Sequence, residues 1–178
     1  MSNPANSQLD HALKQLTYGF YVLATRADGS ELKTRNEDWV SAGTVSWATQ
    51  SSFEPVLITV AIQKDSNLNE TIQKSQVFSL TVLGQNEQDL IKRFAEQTDV
   101  DYSDNTVNGV GYREGETGAP ILDCGTVTLE CRLEDALTTS GDHLLFVGRV
   151  ENVVVRNEDT PVTERDTRQN YEGVSARS

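Results

Sequence analysis

Apolar positions along this chain change period several times, and each change marks an element. Leu9, Ala12, Leu13 and Leu16 recur at helical spacing, and Gly19 then leads into Phe20-Tyr-Val-Leu-Ala-Thr25, a β-branched and aromatic run that predicts a strand. Ala27-Asp-Gly-Ser30 is a turn signal. After a polar stretch with Asn36-Glu-Asp38 the chain resumes as Trp39-Val-Ser-Ala-Gly-Thr-Val-Ser-Trp-Ala48, the return arm of a hairpin with a long irregular loop. Pro55 opens Val56-Leu-Ile-Thr-Val-Ala-Ile62, whose nearly continuous apolar character predicts a strand buried on both faces. Asn67 with Glu70 three residues on has the spacing of a helix N-cap, with Leu68 and Ile72 as inward contacts. Val77 to Leu83 predicts a further strand, and Gln85 to Gln97 a helix with Leu90, Ile91, Phe94 and Ala95 on one stripe.

Residues 98–118 are polar and glycine-rich and predict a long loop. Two last strands are expected at Thr126 to Leu137 and His143 to Val155, joined by the turn Thr139-Ser-Gly-Asp142. From Asn157 the chain is polar and is expected on the surface. Strands dominate and the alternating βα rhythm of a doubly wound sheet is missing, so the fold class is mainly β, a closed antiparallel barrel with short peripheral helices. One domain over residues 1–178 is expected, its core at about 10–155 and a polar tail at 156–178.

Charge narrows the partners. Asp and Glu number 27 against 15 Lys and Arg, a formal charge of −12, which opposes nucleic acid and anionic membrane surfaces. No apolar run approaches the about 20 residues of a membrane span, and the polar start Met1-Ser-Asn-Pro-Ala-Asn-Ser-Gln lacks the features of a secretory signal. Cys124 and Cys131 are the only cysteines, and an i, i+7 pair in one strand faces opposite sides. Reduced thiols and a cytoplasmic location follow as expectations. Lysine is scarce as well (Lys14, Lys33, Lys64, Lys74 and Lys92), a surface suited either to concentrated salt or to an ordinary acidic protein.

Most common chemistries fail on residue content. The two histidines are His11 and His143, and CxxC, HExxH, GxSxG, Walker A and GxGxxG are all missing. Asp99, Asp101 and Asp104 lack the glycine and terminal glutamate of an EF-hand, so no metal site is expected. Two features remain. Lys64 and Ser66 stand just before the helix start near Asn67, where free N–H groups and a partial positive charge suit a phosphate, the alternative being an exposed lysine beside a capped helix. In Thr44-Val-Ser-Trp47 two hydroxyls alternate with Val45 and Trp47, an arrangement for bonding the edge of a polar heteroaromatic ring, or else a solvated face with Trp47 in the core.

Several segments together carry a resemblance. Thr17-Tyr-Gly-Phe-Tyr-Val-Leu-Ala-Thr25, Thr44-Val-Ser-Trp47, Glu54-Pro-Val-Leu-Ile58, Phe78-Ser-Leu-Thr-Val-Leu83, Arg93-Phe-Ala95 and Gly141-Asp-His143 with Phe146-Val-Gly148 occur in the order of the flavin reductase-like, FMN-binding split-barrel family. Gly118-Ala-Pro-Ile-Leu-Asp through Leu129-Glu-Cys131 also resembles the flavin reductase-like domain of flavodiiron proteins. The resemblance implies an antiparallel Greek-key split barrel and an NAD(P)H-dependent flavin oxidoreductase. It implies FMN, with FAD an alternative, its ring near Thr44, Val45, Ser46 and Trp47 and its phosphate near Lys64, Ser66 and Asn67, with Thr71 adding a hydroxyl. His143 is implied as the residue beside the nicotinamide of NADH or NADPH, the alternative being a turn residue with a structural hydrogen bond. A homodimer and an oxygenase or other redox protein partner are implied as well. Thr81 stands where many members carry Asn, and Trp47 where a smaller residue is commoner. These departures keep open a second reading, a tightly bound FMN electron carrier with a protein partner.

Overall fold

The computed structural model describes residues 4–27 and 39–167. Helix α1 (Pro4–Leu13) precedes β1 (Tyr21–Ala27), β2 (Trp39–Val45), β3 (Ala48–Phe53) and β4 (Val56–Gln63). Next come α2 (Asn67–Ser75), β5 (Val77–Val82) and α3 (Gln88–Arg93), the last entered through a 3₁₀ turn at Gln85–Glu87. Short strands β6 (Val100–Asp101), β7 (Thr106–Val107), β8 (Val110–Glu114) and β9 (Pro120–Leu122) form a small sheet, and β10 (Val127–Thr138) and β11 (His143–Val155) complete the strands among the described residues. The turn read at 27–30 and the loop with Asn36–Asp38 fall outside the described residues, apart from Ala27 at the end of β1.

The main sheet runs β2-β1-β5-β10-β11-β4-β3, antiparallel throughout. β2 and β3 lie at its two ends yet are separated in sequence only by Ser46 and Trp47. The chain therefore pairs with β1 as far as Val45, crosses, and pairs with β4 from Ala48 on. Because one continuous stretch of chain forms both ends, the sheet closes into a barrel with a seam at residues 46–47, and Ala61 N, donating to the Trp47 carbonyl at 2.9 Å, carries the β3–β4 ladder up to that seam. Hydrophobic side chains fill two layers. Inside the barrel Leu23, Ile58, Val60, Phe78, Leu80 and Phe146 pack together beneath Leu68 and Ile72 of α2. Outside it Val22, Ala24, Val40 and Ala42 pack against Leu90, Ile91 and Phe94, and against Val107, Val110 and Leu122 of the small sheet.

That second layer decides which strand is covered twice. Residues 22–25 of β1 are all buried, whereas β4 alternates, its Ile58, Val60 and Ile62 inward and Leu57, Thr59 and Ala61 partly wet. Burial on both faces, expected for β4, is found instead in β1 and β5, whose residues 22–25 and 77–81 are all buried, because α3 and the small sheet cover the outer face there and nothing comparable covers β4. Residues 98–118 are likewise not one loop: Asn105 and Asn108 take left-handed backbone (φ 51° and 48°) and turn the chain into β6, β7 and β8. Nor does 156–167 lie wholly on the surface. Phe20 N donates to the Val162 carbonyl, Val162 N donates to the Leu83 carbonyl, and the Val162 side chain is fully buried.

Both cysteines are buried and free, but Cys124 precedes β10 and joins the outer layer while Cys131 joins the inner one. Burial pushes both thiols up to about 12, with neighbouring carboxylates adding to it. The helical spacing at the N-terminus is real, but α1 ends at Leu13, and Leu9, Leu13 and Leu16 are each more than half exposed. No helix among the described residues is long and apolar enough to cross a membrane, and no cluster of metal-ligating side chains occurs among them.

Candidate functional site

At the seam the barrel opens into a cleft of about 320 Å³, walled by the end of β2, the end of β4, the start of α2, the segment after α3 and the first residue of β11. That volume lies at the lower end of small-molecule sites. Seven of the nine residues expected to bind flavin or substrate on grounds of resemblance, Thr44, Val45, Ser46, Trp47, Ser66, Asn67 and His143, line it together. Lys64 and Thr71 do not.

Each wall follows from a local cause. As an end strand of the ladder, β2 has backbone groups facing away from β1, and residues after α3 satisfy them: Thr44 N donates to the Phe94 carbonyl (3.0 Å) and Ala42 N to Thr98 Oγ1 (3.3 Å). Thr44 Oγ1 donates to the Ile91 carbonyl at 2.8 Å. The Thr44 hydroxyl is therefore spent on anchoring α3, so the pair of strand hydroxyls reduces to Ser46 as a candidate ligand contact. Thr44, Val45 and Ser46 are all buried, because both faces of this strand end are covered. Trp47 is not core: it is 54% exposed at the mouth, where its ring lies 5.0 Å from that of His143 at 50°.

The helix start is shifted by one residue from the expected cap. Ser66, with extended backbone (φ −99°, ψ 147°), is the N-cap of α2 and accepts from Asn69 N at 3.1 Å, so Asn67 is the first helical residue. Glu70 N bonds the Ser66 carbonyl. The amides of Asn67 and Leu68 remain as first-turn donors without an intrahelical acceptor. Thr71 is buried one turn on and donates to the Asn67 carbonyl at 2.7 Å, which uses its hydroxyl inside the helix.

Lys64 takes a different place from the one its sequence position suggests. Its Nζ donates to the carbonyls of Thr139 (2.7 Å) and Gly141 (2.5 Å), on the β10–β11 turn. Among the lining residues Glu96 and His143 are the ionisable ones, and neither lysine nor arginine is present. Positive potential at the polar end of the cleft comes from the start of α2. His143 Nδ1 lies 2.6 Å from Asp142 Oδ1. That hydrogen bond, then the charges of His143 and Lys64, hold the Asp142 carboxyl below the usual range. Thr81, a departure from the family pattern, lies in the sheet, where its hydroxyl meets that of Thr128 at 3.0 Å.

Sequence reasoning missed Gly43, Leu68, Phe94 and Thr98 as walls of this cleft. Their only advance signal was the segment Arg93-Phe-Ala95 within the resemblance; nothing in its periodicity says that the chain after α3 runs beside β2.

The donor set suits a flavin mononucleotide: a helix start for a phosphate, apolar walls at Val45, Ile62 and Leu68 for a ring, and an aromatic edge at Trp47. The chain is 29% identical over 148 residues to diflavin flavoprotein A 1 of Synechocystis, covering 83% of this chain and 24% of that protein. It thus spans about a quarter of the length of the diflavin flavoproteins it matches. It is 28% identical over 145 residues to the reductase subunit HsaB of a flavin-dependent monooxygenase from Rhodococcus jostii, covering 79% of this chain and 70% of that one. The fold superposes on BorF, the flavin reductase component of a bacterial two-component tryptophan halogenase, with a TM-score of 0.72 at 22% identity, over 89% of this chain and 92% of the other. Residues 13–173 match the model of the flavin reductase like domain, so the chain belongs to the flavin reductase-like family.

Proposed function

We propose that this protein binds FMN in the seam cleft and passes a hydride to it from NADH or NADPH, serving an oxygenase or another redox protein. The observation that carries the reading is the pairing, in one cleft, of the α2 start with the Trp47–His143 edge. Ser66 caps the helix start, its hydroxyl donating to the Gln63 carbonyl at 2.8 Å, and the amides of Asn67 and Leu68 hold the phosphate; Val45, Ile62 and Leu68 exclude water from the ring, and Trp47 with His143 borders the side where a nicotinamide enters. The flavin, when bound, supplies the hydride-accepting chemistry, which asks the protein for orientation rather than for a general acid or base. This accords with a cleft whose ionisable side chains are His143 and Glu96.

The same reading extends to a homodimer. Phe53 is 89% exposed at the β3–β4 hairpin beside the exposed Val56, apolar surface that a second copy would cover. Size-exclusion chromatography with light scattering reads this directly, and a monomer at micromolar concentration overturns it.

An anaerobic titration tests the function. The protein is loaded with FMN, mixed with NADH or NADPH, and the bleaching of the flavin absorbance is followed. Rapid bleaching with turnover of added flavin is expected. Tight FMN binding without bleaching would replace the reductase by an electron carrier, and failure to bind FMN or FAD would overturn both.

A further inference from the structure

His143 opens β11 opposite Gln63 of β4, and Lys64, the next residue, ties the turn before it to the helix-bearing corner of the barrel. Lys64 N donates to the Asp142 carbonyl (3.0 Å), its Nζ donates to the carbonyls of Thr139 and Gly141, and its own carbonyl accepts from Asn69 Nδ2 (2.5 Å). Thr139 Oγ1 donates in turn to the His143 carbonyl. The corner between β4 and α2 and the turn between β10 and β11 are thereby one hydrogen-bonded unit, spanning residues about 75 apart in sequence.

On that unit the Asp142 side chain is 90% exposed and yet engaged at 2.6 Å by His143 Nδ1. An ionised carboxylate can only accept, so Nδ1 carries the hydrogen of this bond. In the neutral ring Nε2 is then left bare. His143 is much less exposed than Asp142, at 21%, because its ring lies along the cleft against Trp47.

We propose that Asp142 and Lys64 are positioning residues for His143: Asp142 fixes the Nδ1–H tautomer, so that Nε2 meets the bound reductant as a hydrogen-bond acceptor, and Lys64 fixes the turn that carries both. The identity of the reductant rests on the reductase reading above; the complementary donor on it is the carboxamide N–H of the nicotinamide. Lys64, on this account, is not a ligand of the flavin phosphate, since it does not line the cleft and two of its three ammonium donors are directed at carbonyls of the turn.

The tautomer is read without any activity measurement. Long-range proton–nitrogen NMR of the ¹⁵N-histidine-labelled protein, at a pH where both imidazoles are neutral, contains signals from His143 and His11 alone. The expected spectrum shows His143 Nδ1 protonated and Nε2 bare. Asp142→Ala is expected to release that preference and leave His11 unchanged; a wild-type His143 protonated on Nε2, or a tautomer indifferent to Asp142→Ala, would overturn the proposal.

Two kinetic readouts test the consequence. Asp142→Ala is expected to slow reduction of bound FMN by NADH or NADPH roughly tenfold, the loss of one charge-assisted hydrogen bond's worth of positioning, with the FMN Kd unchanged. Lys64→Met is expected to leave the FMN Kd within about twofold while slowing reduction. A Kd weakened tenfold or more by Lys64→Met would return Lys64 to the phosphate site and overturn its part. Unchanged reduction in Asp142→Ala, with the tautomer released, would overturn the role of the tautomer while leaving the reductase reading intact. Wild-type protein that binds FMN and is not reduced would overturn that reading, with the NMR result still deciding the role of Asp142.

Discussion

Replacing Trp47 by alanine separates the cleft from the fold. The indole is 54% exposed, so little buried area is lost, and its main partner is the His143 ring at 5.0 Å. A ring pair of this kind contributes about 0.5–1.5 kcal/mol beyond area. The β3–β4 ladder reaches this residue through its backbone carbonyl, which accepts from Ala61 N and survives the substitution. Stability should therefore fall by no more than about 1.5 kcal/mol, a Tm shift of a few degrees at this chain length. An aromatic wall against a planar heterocycle is worth more: cutting such a residue to alanine costs about 1–3 kcal/mol per stacked ring, or about 5- to 150-fold in Kd. FMN fluorescence quenching measures the Kd, and a thermal melt of the same samples measures the fold. Trp47→Phe should lie between alanine and wild type. An unchanged Kd in Trp47→Ala would remove the flavin ring from the seam, and a Kd loss matched by a collapse in Tm would make Trp47 a structural residue.

Other expectations follow from single observations. Ser66→Ala removes the cap bond to Asn69 N and should cost about 0.5–2 kcal/mol in urea unfolding while also weakening FMN binding; a stability loss with unchanged affinity would take the phosphate away from α2. Raising NaCl from about 0.1 to 1 M shortens the screening length from about 10 to 3 Å. With a net charge of −12 and no lysine or arginine lining the cleft, FMN should bind as well or better in high salt, and a steep loss measured by titration would contradict the assignment. Gly148→Ala places a Cβ 2.5 Å from Phe78 Cζ and 2.9 Å from Cys131 Cβ, an overpacked core that should cost about 1–3 kcal/mol or more; full native stability in urea would refute this packing. Cys124 and Cys131, buried with thiols pushed up to about 12, should stay unreactive to a disulfide reagent at about pH 8 and titrate fully in denaturant, whereas a fast native thiol would contradict their burial.

Local signals and long-range ones were unequally legible. Strands β1, β5, β10 and β11 and the start of α2 lie within a residue or two of where apolar periodicity and turn residues place them, since those signals act over neighbouring residues. Ser66 and Asn67 show the limit of even that. Both are good caps, and Glu70 three residues on favours Asn67, yet the extended backbone of Ser66 and its bond to Asn69 N make Ser66 the cap. Where covering layers come from distant chain, the pattern is silent. Val56 to Ile62 is more apolar than Tyr21 to Ala27, yet the latter is covered twice, by α3 and by β-strands too short to have any period. Val162 stands in a polar tail, and its burial goes with backbone bonds to Phe20 and Leu83 far upstream. Lys64 is the same case in the site: the sequence shows a cation one turn before a helix, but its flexible stem can reach either way, and the acceptors it finds belong to a turn some 75 residues later.

The location of the cleft also has a cause within the fold. A strand that changes partner must leave one ladder before it joins the next, and here the interval is Ser46 and Trp47, with one backbone bond from Ala61 N carrying the β3–β4 ladder up to it. The inner strands β1, β5, β10, β11 and β4 have a paired strand on each side. At the seam the backbone groups lie beside a helix start whose first amides are uncommitted and beside a turn held rigid by Lys64. A ligand with a polar ring edge and a phosphate satisfies both sets at once, one on strand backbone and one on helix backbone. Recognition through main-chain groups needs little from side-chain identity. On the proposed reading, that explains why the motifs in this region are individually weak in sequence, and why residues with more specific chemistry, Asp142, His143 and Trp47, gather at the edge where a nicotinamide would enter.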